Sequence, residues 1–164
     1  MHLQKITPCL WFDTQAEDAA QFYCAIFPNS QILQISRYGE AGYEIHRKRA
    51  GSILTVSFEL DGQAFTALNG GPEFRFNPAI SFQVACDNQP ELDRYWDALS
   101  AGGEEQAQQC GWLQDRYGVS WQIIPTGLPA MMCDADSRKS ERVMDALLQM
   151  KKLDIAKLQQ AFDG

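Results

Sequence analysis

The chain has 164 residues, 45% of them apolar and 21% charged, the proportions of one globular domain able to bury roughly two thirds of its unfolded surface. A formal net charge of −7 disfavours a nucleic-acid backbone or an anionic membrane as partner. No apolar run approaches the ~20 residues of a membrane span, and the opening MHLQKITPCL lacks a signal-peptide pattern, so a cytoplasmic protein is expected.

Ile6 to Phe12 reads as a strand with a proline near its start, where a missing N–H is tolerated. In DTQAEDAAQFYCAIFPN, Thr14 and Glu17 have capping-box spacing, and Ala19, Phe22, Tyr23, Ile26 and Phe27 recur at helical intervals. Residues 31–38 form a second strand, followed by a polar loop through Arg49 whose basic run His46-Arg47-Lys48-Arg49 reads as a solvated loop. The period then becomes two. Leu54, Val56, Phe58 and Leu60 alternate with Thr55, Ser57 and Glu59, and Asp61-Gly62 turns the chain back through QAFTALN.

The second half repeats that order. Residues 79–85 make a strand, and DNQPELDRYWDALSAGG makes a helix capped by Asn88, with Leu92, Tyr95, Trp96 and Leu99 on one face. Weak strand character in 104–108 precedes CGWLQ and VSWQII, joined by Asp115-Arg116-Tyr117-Gly118, with Asp115 and Gly118 shaping the turn. Phe22-Tyr23 superposes on Tyr95-Trp96, so an internal βαβββ duplication is the economical reading. After Pro125 a loop leads to a helix starting at Ser140 and a last helical turn capped by Asp154. Val143, Met144, Leu147, Met150, Ile155, Leu158 and Phe162 give this end an apolar stripe, covered either within the chain or by a second copy, and the latter makes a homodimer the expectation.

The five cysteines form no CxxC and suit reduced thiols. Cys9, Cys24 and Cys110 read as core and Cys133 as exposed. Neither histidine, His2 nor His46, sits in a recognisable motif, so Cys–His nucleophilic chemistry is not expected.

ITPCLWFDTQAEDAAQFY, ALNGGPEFRFNPAISFQVAC, CGWLQDRYGVSWQIIP and ERVMDALLQMKKLDIAKL together resemble the PhnB-like branch of the vicinal oxygen chelate superfamily, often labelled 3-demethylubiquinone-9 3-methyltransferase. The resemblance implies an α+β fold of two βαβββ modules (1–71 and 76–126) forming a curved sheet cleft. With a C-terminal helical extension at 137–163, they would make one domain spanning 1–164. The superfamily's metal enzymes draw up to four ligands from the first and last strands of each module. Those positions fall here at Pro8, within Thr66–Asn69, at Ala79 and at Gln122, a donor-poor set, so no metal or other cofactor is expected.

Strand parity places Gln122 toward the cleft, between Trp121 and Ile123, which face the helices. The same parity nominates Ser57, Thr66, Ser81, Gln83 and Ser120, with Asn69 at the rim and Trp112 as an aromatic wall. Glu59 shares the parity but sits beside a turn and is expected in solvent. These polar groups either satisfy one another or bind water, or they form a pocket of neutral hydrogen-bonding groups. The pocket predicts a small-molecule-binding protein whose ligand the sequence does not name. A vicinal-oxygen-chelate enzyme with a non-standard site is the alternative. No Gly-rich strand-to-helix loop supports methyl transfer from S-adenosylmethionine.

Overall fold

The structure, a computed structural model, describes residues 4–164; His2 lies outside the described residues. The chain divides into two compact units, the first ending at Arg75 and the second running Phe76–Gly164. Each unit contains a four-stranded sheet with a helix on one face.

In the first unit, β1 (Cys9–Phe12), α1 (Ala16–Ile26), β2 (Gln31–Arg37), α2 (Tyr43–His46), β3 (Ile53–Leu60) and β4 (Gln63–Asn69) follow one another, and the sheet order is β1-β4-β3-β2. Asp61 and Gly62 both have positive φ, 46° and 78°, as a two-residue hairpin demands. The turn sets the register that pairs Ser57 with Thr66 and Thr55 with Leu68. Alternation then sends Val56, Phe58, Phe65 and Ala67 under α1. The helix answers with Ala16, Ala19, Ala20 and Tyr23, all buried, and the alanines let it lie close to the strands. Tyr23 stacks on Phe58, which stacks on Phe65 at 5.4 Å.

The Thr14–Glu17 capping box does not form. Gln15 holds the cap position without a side-chain bond, and the Oδ1 of Asn69 accepts from the Ala16 N–H at 2.8 Å. The cap is supplied by the end of β4 rather than by the local sequence. The first strand is also shorter than expected, since Pro8 stands outside it and lends only its carbonyl, to the Thr66 N–H. Cys9 is accordingly exposed rather than core.

The second unit repeats the topology with β5 (Phe82–Cys86), α3 (Gln89–Ser100), β6 (Glu104–Gln109), β7 (Trp112–Gln114) and β8 (Ser120–Pro125), in sheet order β5-β8-β7-β6. As in the first unit, the opening strand runs parallel to the last one. Asn88 caps α3 by accepting from the Glu91 N–H, and Leu92, Tyr95, Trp96 and Leu99 are buried on the helix face with Leu113, Trp121 and Ile123. The first strand begins three residues later than the apolar pattern suggests. Pro78 cannot donate to a ladder and the Ala79 N–H turns back to the Asn77 Oδ1, so 76–81 stays outside the sheet.

Three helices complete this unit: α4 (Leu128–Met132), where a loop was expected, α5 (Ser137–Leu148) and α6 (Ile155–Asp163). The second of these starts at Ser137 rather than Ser140, because Asp136 and not a serine supplies the cap. Asp154 caps the last one as expected. The extension is fastened to the module by its backbone. Cys110 and Gly111 donate to the Met150 and Lys151 carbonyls, both at 2.8 Å. The Gln89 carboxamide donates to the Leu153 carbonyl and accepts from the Ile155 N–H. Lys152 pairs with Asp93 at 2.9 Å.

Val143 and Leu158 of the apolar stripe, with Leu153 between the two helices, are fully buried, so part of the stripe is covered in cis. Met144 and Leu148 on α5 stay exposed. No helix among the described residues is long and apolar enough to cross a membrane.

Leu153→Ala is expected to lower stability by about 2–5 kcal/mol, because it empties a space closed by Gly111 and the strand behind it. Denaturant titration reads this as a lower midpoint with an unchanged slope. A loss below about 1 kcal/mol would show the extension to be an ornament on the module. A second expectation concerns Cys86, whose thiol is pushed up to about 11 by burial and then by the charge of Glu91. The unfolded chain ionises this thiol near its ordinary value of 9.0 while the folded one keeps its proton, so the contribution is complete below pH 9 and is lost as pH rises toward 11. Cys86→Ala should flatten the stability profile over that interval, and an unchanged profile would refute it.

Candidate functional site

The helix-free face of each sheet carries a row of side chains that crosses all four strands. In the second unit the pairings Gln83–Gln122, Gln122–Trp112 and Trp112–Gln109 place these four residues side by side. In the first unit the row is Cys9, Thr66, Ser57 and Gln34. The two rows occupy matching places in matching sheet orders. Of their eight members, five (Gln83, Gln122, Trp112, Thr66 and Ser57) are among the residues nominated from the sequence. Cys9, Gln34 and Gln109 were missed, and only the pairing of β1, β2 and β6 with their neighbours brings them in.

The second unit shows the more developed site. Gln122 Nε2 donates to Ser81 Oγ at 2.8 Å, and Gln83 Nε2 reaches Gln122 Oε1 at a long 3.4 Å. Ser81 lies outside the strand but is returned to the face by the 76–81 segment. The alternation that exposes Gln122 buries Trp121 and Ile123, at 3% and 0% exposure. Beside this relay opens a groove of about 500 Å³ lined by Pro78, Gln106, Ala107, Gln109, Cys110 and Trp112. No charged side chain lines it. The groove offers an aromatic surface, a thiol and neutral amides, which can bind and orient a molecule but hold no evident acid or base.

One buried carboxylate holds this arrangement. Asp115 Oδ1 accepts from the N–H groups of Tyr117 and Val119, and its Oδ2 accepts from the indole of Trp121 at 2.8 Å. The turn residues and the helix-facing side of β8 are thereby tied to one group. Gly118 takes a φ of 87° in that turn. The role expected of Asp115 and Gly118 is the one observed.

Other nominated residues are placed differently. Ser120, paired with Gln114, is buried at 4% exposure. Asn69 is buried on the helix side of its sheet: it caps α1, and its Nδ2 donates to the Ile53 carbonyl at 3.2 Å. Its own carbonyl accepts from the Tyr38 hydroxyl. Ser57 and Thr66 are half-buried neighbours on the open face of the first unit. Glu59 is half-buried on the same strand. A smaller cavity in this unit, about 210 Å³, is walled by Asp13, Glu17, Asp18, Tyr38, Lys48 and Asn69 among others.

Of the four positions where metal enzymes of the resembled superfamily carry ligands, Pro8 and Ala79 have no donor side chain, and Gln122 is bonded to Ser81 and Gln83. Among the described residues no three His, Cys, Asp or Glu side chains converge closely enough to hold a metal ion.

Comparison with protein-family models matches residues 4–124 to 3-demethylubiquinone-9 3-methyltransferase. The structure is similar to a PhnB protein of Bacillus cereus that carries the same methyltransferase description. That protein is 35% identical, with 75% of this chain and 100% of the other covered and a TM-score of 0.63. A protein of Pseudomonas aeruginosa is 21% identical, covering 76% and 98%, at a TM-score of 0.57. A fosfomycin resistance protein of Listeria monocytogenes is 17% identical, covering 82% and 100%, at a TM-score of 0.49. Comparison with curated proteins yields no match.

Asp115→Ala is expected to cost about 2–4 kcal/mol, since it leaves the Trp121 indole and two backbone donors without their acceptor in a buried turn. Gln122→Leu should cost less than about 1 kcal/mol, because the groups it releases remain open to water. Thermal melts of the two variants test the contrast. Equal losses would make Gln122 a structural residue.

Proposed function

The chain belongs to the family described as 3-demethylubiquinone-9 3-methyltransferase, the PhnB-like branch of the vicinal oxygen chelate fold, and from that premise we propose that it is a small-molecule-binding protein. The observation that carries this reading is the second unit's groove, with Trp112 and free amides on its wall and no charged group among its lining residues. The ligand-binding set is the row Gln83, Gln122 and Trp112 with Ser81 beside it, and Ser57 and Thr66 serve the equivalent face of the first unit.

We read the metal of the resembled superfamily as absent from this chain. The donor set does not suit one: a proline, an alanine, and an amide already engaged by a serine and a second glutamine. The reading therefore contains no metal-dependent step. Methyl transfer is set aside on similar grounds. Both turns that lead from a first strand into a helix, Asp13-Thr14-Gln15 and Asp87-Asn88, lack the glycines that let a backbone approach a nucleoside cofactor closely. A homodimer belongs to the same proposal, with Met144 and Leu148 as the apolar contribution of the extension.

A thermal-shift screen of small metabolites tests the reading. A ligand present at about 100 times its Kd should add about 2.7 kcal/mol, raising Tm by about 5–10 °C. That shift should vanish in Trp112→Leu, and the compound should be recovered chemically unchanged. Consumption of the compound would convert the binding protein into an enzyme. Shifts indifferent to Trp112 would overturn the groove as the site.

A further inference from the structure

We propose that the occupant of the second unit's groove is an uncharged planar ring with an amide-type edge, such as a lactam or imide heterocycle, an assignment that rests on the groove being the binding site. The charge argument comes first. Pro78, Gln106, Ala107, Gln109, Cys110 and Trp112 supply no counter-charge, so an ionic ligand would shed water there without compensation. The net charge of −7 adds a field that opposes an anion in particular.

Shape comes next. Trp112 is half-buried and faces the groove while its neighbour Leu113, 1% exposed, anchors β7 underneath. A fixed indole of this kind favours a flat partner that can lie against it, and the volume of about 500 Å³ suits a drug-sized molecule.

The hydrogen-bonding pattern narrows the class further. A glutamine carboxamide carries an acceptor and a donor side by side in one plane, and so does a cis-amide edge, in the complementary sense. One glutamine can therefore meet such an edge through two bonds. Gln122 is engaged with Ser81, but the side chains of Gln106 and Gln109 make no hydrogen bond within the described residues, and Gln109 is the register partner of Trp112. The free amide thus stands beside the stacking surface, which is where the edge of a stacked ring would arrive. A simple apolar ring would leave these amides unused, and a sugar would leave the indole less well covered.

Three bicycles of one size separate the possibilities: quinolin-2-one, its N-methyl derivative, which has lost the donor, and quinoline-2-carboxylate, which is an anion. Each is titrated into the full-length protein by ligand-observed NMR. Quinolin-2-one should bind at least tenfold more tightly than either relative. Trp112→Leu and Gln109→Ala should each weaken it about tenfold without changing the circular dichroism spectrum. If Trp112→Leu fails to fold, the exposed Gln109→Ala carries the comparison.

Carboxylate or N-methyl compound binding as tightly as the parent, and lost in Trp112→Leu, would overturn the class while leaving the groove in place as the site. Binding indifferent to both variants would place the compound elsewhere and overturn the proposal. So would the failure of all three to bind at millimolar concentration, and the thermal-shift screen then judges the groove separately.

Discussion

The second unit depends on the Asp115 carboxylate. Three donors converge on it, two from the turn backbone and one from the Trp121 ring, and together they fix how β8 leaves the turn after β7. Because side chains alternate along a strand, a slip of one residue would send Gln122 into the core and lift Trp121 and Ile123 out of it. The whole character of the open face follows from that register. Asn69 plays the comparable part in the first unit. One buried side chain joins the end of β4, the first turn of α1 and the Ile53 carbonyl at the start of β3, so the sheet and its helix cannot shift independently.

Much of the architecture was legible because its causes are local. The Asp61-Gly62 turn, the alternation on either side of it, and the Asn88 and Asp154 caps each involve residues within a few positions of one another. What escaped was set by contacts that close long loops. The cap of α1 comes from a residue 53 positions away, and the clasp between Gln89 and Leu153 spans 64. Spacing within a helix says nothing about such partners. The late start of β5 had another cause: Pro78 and the Asn77 turn override an apolar pattern that continues through 79–81.

For the site, parity was enough to place Gln83 and Gln122 on one face, since parity needs only a strand and a direction, and Trp112, expected as a wall, joins them there. Asn69 was expected at the rim, but it falls in step with Phe65 and Ala67 and lies on the helix side. Parity also gave no sign that Ser120 would be covered. The groove itself was out of reach, because β6 has a register irregularity between Glu104 and Gln109, and that break lets Gln106, Ala107 and Gln109 all line one hollow. Duplication has left the two sheets alike in order and unlike in chemistry. One row carries a thiol, two hydroxyls and one amide, and the other an indole and three amides, on backbones of the same design.

The C-terminal segment has a consequence for how the molecule is made. Everything the first unit buries lies before residue 72, so it can reach its final packing while the rest of the chain is still being synthesised. The second unit has no such freedom, since Val143, Leu153 and Leu158 belong to its interior and are made long after its sheet. Until they arrive, the Cys110–Gly111 corner has its amides open and its apolar floor wet. A nascent chain paused before residue 150 would thus hold one finished unit and one unfinished one, and the unfinished half is what a chaperone or protease would encounter.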